Sequence, residues 1–150
     1  GLTLLAKIES GAYDNSEKVD VTEVVKSQVQ HYIEVVELNG LIIKTELKQQ
    51  IYFVINPDLI EILVSNLIRN AIKHNTSNGT IHITTFQNCI RFSNSGNQSK
   101  IDTYQFKRFN RSNKNSLGLG LSIINKICLA YNIQLKYSYE NGLHNFDLNF

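Results

Sequence analysis

Proline and cysteine are scarce in this chain of 150 residues, with one Pro and two Cys, and a long apolar run is missing altogether. Its apolar stretches break at Asn, Lys or Glu well before the roughly 20 residues that cross a bilayer, so no transmembrane helix is expected. The start lacks the pattern of a signal peptide, and the opening GLTLL reads as a mid-protein start that leaves room for an anchor elsewhere. Cys89 and Cys128 fall in an apparent strand and an apparent helix, without a companion at metal-ligand spacing. They read as buried thiols of a reducing compartment, not as a disulfide or a zinc site. Charge is also modest: a formal +2 and a pI near 8.5 do not by themselves argue for nucleic acid. GxxxxGK[ST] is absent, which argues against a P-loop, and there is no internal repeat.

What is present suffices for a core. With 42% hydrophobic and 19% charged residues, the chain reads as one globular domain with a short appendage. LTLLAKIES places Leu2, Leu5 and Ile8 at helical spacing and breaks at GAYDNSE, like the tail of a helix from something upstream. KVDV reads as a short strand, and Thr22 as the N-cap of a helix that ends at Asn39-Gly40. LIIKTEL and IYFVI are expected to pair as a hairpin around KQQ. Asn56 followed by Pro57 marks a helix start. GTIHITTF and CIRFSN form a hairpin at Gln87-Asn88, a helix runs from about Leu117 to Tyr131, and IQLKYSY and LHNFDLNF close the chain around Asn141-Gly142. Residues 95 to 116 read as a long polar loop with five cations, Lys100, Lys107, Arg108, Arg111 and Lys114. This order implies an α+β fold: a two-layer α/β sandwich whose mixed, mostly antiparallel sheet carries helices on one face.

Four stretches carry chemistry. In NLIRNAIKHN, residues Asn66, Asn70 and Lys73 fall within an arc of roughly 60° on a helix, opposite Ile60, Val64, Leu67, Ile68 and Ala71. Two amides beside a lysine can hold a hydrated divalent cation and the phosphates it neutralises; solvated amides on a half-exposed helix are the plainer alternative. In SLGLGLSI, Gly118 and Gly120 stand where the long loop becomes a helix, whose unpaired N–H groups suit an anion, although such a pattern is also a common tight turn. Between them, RFSNSGN ends a strand at Asn94 and turns at Gly96, and FKRFNR offers Phe106 and Phe109 to pin a lid and Arg108 and Arg111 to reach phosphates.

In that order, NLIRNAIKHN, NSG, FKRF and GLGLSI resemble the N, G1, F and G2 boxes of the ATP-binding domain of bacterial sensor histidine kinases, of the superfamily shared with gyrase and the heat-shock chaperones. The resemblance is tight over residues 56 to 124, and implies a Bergerat-type sandwich with a long ATP lid. It implies ATP and magnesium as cofactors, with Asn70 as the metal ligand and Asn66 supporting the ion or its waters. Lys73 and His74 would face phosphates or ribose, Asn94 the adenine, and Gly96 would let the base approach. Arg108 and Arg111 would contact the phosphate tail from the lid, Gly118 and Gly120 would form the hinge of that lid, and Phe109, Leu117 and Leu119 would join the ATP-binding residues. Asn66, Asn70, Lys73 and Arg108 are the expected catalytic set. Residues 1–15 resemble the end of the dimerisation-domain helix with its linker, and 16–150 the catalytic domain.

Two departures matter. Asn94 stands for the usual aspartate, and Gln98 for a glycine. An amide accepts without charge assistance and can flip to donate to guanine, so weaker affinity and looser base selection are expected. Asn66 stands where hydrolytic relatives carry a glutamate base, so slow hydrolysis is expected. His31, His74, His82 and His144 all lie outside an H-[DE]-x-[KR]-[ST]-P setting. The phosphoacceptor is therefore expected on a separate dimerisation domain of a cytoplasmic, homodimeric parent with room for a membrane anchor, with a response regulator downstream and no nucleic-acid or direct membrane contact. A docking module of the same fold with weak or lost ATP binding is the alternative.

Overall fold

The computed structural model describes residues 3–11, 14–96 and 117–150, with backbone alone for 117–119. Residues 97–116, and with them Gln98, Phe106, Arg108, Phe109 and Arg111, lie outside the described residues. The elements are α1 (Leu4–Glu9), β1 (Glu17–Asp20), α2 (Val21–Leu38), β2 (Ile42–Glu46), β3 (Tyr52–Ile55), α3 (Pro57–Lys73), β4 (Thr80–Phe86), β5 (Cys89–Ser95), α4 (Leu117–Ala130), β6 (Gln134–Glu140) and β7 (Leu143–Asn149).

Five strands form one sheet in the order β2-β4-β5-β7-β6, and β1 pairs with β3 in a separate ribbon. Within the large sheet β2 runs parallel to β4, while β4–β5, β5–β7 and β6–β7 are antiparallel. Alternation fixes the faces: Ile81 and Ile83 of β4, Ile90 and Phe92 of β5, and Phe146 and Leu148 of β7 are buried on one side. Helices α2, α3 and α4 join that core through Val25, Leu63, Leu67, Leu121 and Ile124. The other face carries polar pairs, Arg91 to Asp147 at 2.7 Å and Ser93 to Asn145 at 2.6 Å, so a single face provides the apolar drive. The two-layer sandwich expected from the sequence is the one observed.

Two expectations are corrected. β2 and β3 do not form a hairpin; each pairs elsewhere, Ile43 beside Ile81 and Phe53 beside Val19. Alternation selects the buried face of a strand but does not name its partner. The connection between them is pinned to the start of α2, where Val21 N donates to Ile51 O at 2.8 Å. Thr22 is also not the N-cap. Asp20 is, accepting from Glu23 N at 3.1 Å. Thr22 is fully buried inside the helix, its hydroxyl donating to Gln49 O at 2.8 Å and accepting from Ile51 N at 3.0 Å. A β-branched hydroxyl near a helix start serves either role, and the aspartate two residues earlier takes the cap.

At the front of the chain, α1 is capped by Thr3 and packs on α4 through the buried Ile8 and an ion pair from Lys126 to Glu9 at 2.8 Å. Cys89 and Cys128 are free, buried thiols. Burial pushes them up to about 11 and about 12, so both stay protonated and unreactive at neutral pH.

Candidate functional site

Helix α3 positions the site. Asn56 caps it by accepting from Asp58 N at 2.8 Å and Leu59 N at 3.3 Å, and Pro57 supplies the first helical residue without losing a needed N–H. Leu59, Ile60, Leu63, Val64, Leu67, Ile68 and Ala71 anchor one wall in the core. The opposite wall carries Asn66 and Asn70, both half-buried, and Lys73, exposed at its last turn.

The two amides do not dangle in solvent. Asn66 Nδ2 donates to Ile62 O one turn back at 2.8 Å, which leaves its Oδ1 facing outward. Asn70 Nδ2 is buried and has no hydrogen-bond partner among the described residues. Across from them is the first turn of α4, where a Cβ on Gly120 would lie 3.3 Å from Asn70 Oδ1 and 3.6 Å from Asn66 Oδ1. Two carbonyl oxygens thus converge on one spot beside a helix N-terminus, and a side chain there would crowd them. Together with Tyr32, Lys73 and Ile123, these residues line a cavity of about 380 Å³.

That donor set suits a small hard cation with a phosphate. Neutral amide oxygens are ligands of the type magnesium accepts, and the buried Asn70 N–H is a donor in want of an anionic oxygen. The structure brings Asn66, Asn70, Lys73 and Gly120 together in one cavity. Gly118 and its neighbours Leu117 and Leu119 form the first turn of the helix itself.

A second polar cluster lies at the C-terminal end of α3. Asn94, only 3% exposed, sits in β5 between Ile81 and His144. Its Nδ2 donates to Ser95 O at 3.0 Å and to His74 O at 3.4 Å. Both partners are carbonyls that can only accept, so the amide is locked with Oδ1 as its free edge. The flipped amide expected to read guanine would set oxygen against oxygen. His74 caps α3, and its Nε2 is buried without a partner among the described residues. Burial, with Lys73 and His144 nearby, holds this imidazole below its ordinary pKa.

Gly96 has a structural reason within the chain itself. A Cβ there would fall 2.5 Å from His144 Cδ2, so the glycine makes way for a histidine ring of the same chain. Its N–H donates to Gly142 O at 2.9 Å and its carbonyl accepts from Tyr139 OH at 2.9 Å. His144, 1% exposed and bonded to Tyr137 OH at 2.7 Å, was not among the expected site residues. Its signal was available: alternation in LHNFDLNF places it with Phe146 and Leu148 on the inward face.

A polar cleft lined by α2, α3 and α4, with a glycine opposite two amide oxygens, is the class of site that can take a metal-bound phosphate. Residues 55–146 match the family described as histidine kinase-, DNA gyrase B-, and HSP90-like ATPase, and the chain belongs to that family. It is 31% identical over 135 residues to the heme sensor protein HssS of Staphylococcus saprophyticus, covering 84% of this chain and 29% of that one. A sensor histidine protein kinase of Streptococcus pneumoniae is 26% identical over 137 residues, covering 85% and 30%. The chain therefore spans less than a third of the curated relatives it matches. In fold it is similar to the catalytic domain of histidine kinase ThkA, with a TM-score of 0.74 at 21% identity over 90% of this chain and 95% of that one. The cytoplasmic segment of histidine kinase QseC gives 0.72 at 16% identity over 91% and 78%. The domain is of the ATPase kind that sensor histidine kinases carry.

Proposed function

We propose that this domain binds Mg-ATP between α3 and α4 and positions it for transfer of the γ-phosphate to a histidine on a dimerisation domain outside this chain. The observation that carries the reading is the convergence of Asn66 and Asn70 oxygens on Gly120 beside the orphaned Asn70 N–H. Asn70 would ligate the magnesium, which neutralises phosphate charge, and Asn66 would orient a coordinated water. Lys73 serves the phosphates, and Arg108, Phe109 and Arg111 are assigned to the lid. Leu117, Gly118, Leu119 and Gly120 serve as its base.

At the other end, Asn94 Oδ1 accepts from the adenine amine, and His74 belongs to this base end by its contact with Asn94. With the amide locked, base selection stays on the side of adenine. Asn66 lacks a basic oxygen at neutral pH, so water is not activated and the phosphoryl group waits for imidazole. In the transfer, the bond from γ-phosphorus to the β,γ-bridging oxygen breaks, a P–N bond forms, ADP leaves, and the imidazole N–H proton passes to solvent.

Residues 1–15 are assigned to the end of the dimerisation helix and its linker, and 16–150 to the catalytic domain. The parent is a cytoplasmic-facing homodimer that passes phosphate to a response regulator. Among the described residues no helix is long and apolar enough to cross a membrane. The test is a thermal shift. ATP with magnesium should raise Tm, ATP alone less, and GTP with magnesium far less; at 100 times its Kd the ligand adds about 2.7 kcal/mol. No shift with Mg-ATP would favour the docking-module alternative.

A further inference from the structure

The end of the cleft assigned to the base is built on a row of side chains that crosses three strands. Asn94 of β5 stands opposite His144 of β7, and His144 stands opposite Tyr139 of β6. Directly opposed residues on one face of antiparallel strands lie about 4.5–5.5 Å apart at Cβ. Asn94 and His144 are therefore immediate neighbours, and both are buried.

Three contacts hold the His144 ring. Tyr137 OH bonds its Nδ1 at 2.7 Å, the Tyr137 ring stacks on it with centroids 5.9 Å apart, and the Tyr139 ring leans on it at 4.6 Å. Its other edge presses on the turn after β5, where Cδ2 and Nε2 lie 2.5 and 2.6 Å from the place a Gly96 Cβ would take. The backbone of that turn is tied to the same hairpin: Gly96 N–H donates to Gly142 O, and Gly96 O accepts from Tyr139 OH, each at 2.9 Å. Gly96 is thus held at both polar groups, with an imidazole filling the space of its missing side chain.

Asn94 precedes this glycine by two residues, and its Oδ1 is the atom assigned to the adenine amine. A neutral amide oxygen has no charge assistance, and a hydrogen bond weakens steeply once its angle falls below about 120°, so this acceptor depends on its aim. The carbonyls of His74 and Ser95 fix the rotation of the amide. Where the strand end itself sits is decided from β7.

We propose that His144 is a positioning residue for the nucleotide base: clamped by Tyr137 and Tyr139 and wedged against Gly96, it holds the end of β5 where Asn94 Oδ1 meets the exocyclic amine. It acts through Asn94 and not on the base itself. The inference rests on the Mg-ATP reading and deepens it by naming what sets base selection.

Calorimetry of Mg-ATP against the magnesium complex of purine riboside triphosphate, which differs only in lacking the amine, isolates this bond. The wild type should bind ATP about tenfold more tightly, as one well-aimed hydrogen bond gives. His144→Ala should cut that preference to about twofold, with the loss falling on ATP and the Kd of the amine-free nucleotide held within about twofold. Tyr137→Phe keeps both rings and removes only the hydroxyl, and should give an intermediate ratio. A residue that merely fills the core would lower Tm and leave the ratio alone, so an unchanged ratio in His144→Ala overturns the proposal. Should that variant fail to fold, an unchanged ratio in Tyr137→Phe overturns it instead. A wild type that binds the two nucleotides equally would also overturn it and leave the Mg-ATP reading standing; one that binds neither would remove both.

Discussion

Asn70 buries an amide nitrogen for which the described residues offer no acceptor, and a donor left in that state costs about 1–3 kcal/mol. Its neighbour Asn66 avoids that cost through Ile62 O. A protein selected for stability alone would not keep the difference. Asn70→Ala should therefore hold or raise unfolding stability in urea by up to about 1 kcal/mol, since alanine also favours the helix. The same variant should weaken Mg-ATP binding at least about tenfold by calorimetry. Gly120→Ala separates the same two quantities. Glycine to alanine inside a helix ordinarily gains about 1 kcal/mol, but here the new methyl lands 3.3 Å from Asn70 Oδ1. A smaller gain in Tm, with a loss of nucleotide affinity, is the expected pair of readings. The asparagine stripe was legible in the sequence because helical arithmetic is local. The lock on Asn94 was not, because it depends on a carbonyl twenty residues away in the chain.

Among the elements, most helix ends and the two tight hairpins declared themselves, and the partners of β2 and β3 did not. Asn56-Pro57 starts α3, and Asn39-Gly40 ends α2, as local rules require. Gln87-Asn88 and Asn141-Gly142 turn their hairpins with Gln87, Asn88, Asn141 and Gly142 all at positive φ. The failure lay at β2 and β3, whose sequences fit a sheet equally well beside several partners. What decides between them is the Thr22 hydroxyl, which stitches the connecting segment to α2 at two backbone groups. Thr22→Val keeps the shape and strands both groups. A loss of about 1–3 kcal/mol in urea unfolding is expected, and Thr22→Ser should retain most of the stability.

At the scale of the whole molecule, acid should act through two imidazoles. His74 and His144 are both held below the ordinary 6.5 of a free histidine, chiefly by burial. Unfolding lets them take protons that the folded state refuses, so their stabilising contribution is complete above pH 6.5 and declines as pH falls through their depressed values. Between about pH 6.5 and 5, above the range where ordinary carboxylates titrate, Tm should fall in the wild type. It should fall less in the His74→Gln, His144→Gln double variant. If the two profiles have equal slopes, these rings are not the acid-sensitive groups.

The crossed pairing of β1 with β3 and β2 with β4 has a consequence for biosynthesis. A chain leaving the ribosome from its first residue presents β2 while its mate is still untranslated, since Ile42 must wait for Thr80. The β1–β3 ribbon can zip earlier and fence the waiting segment against α2. Nascent molecules then carry one unmated edge until β4 has emerged, which is the interval in which a holdase chaperone would matter most.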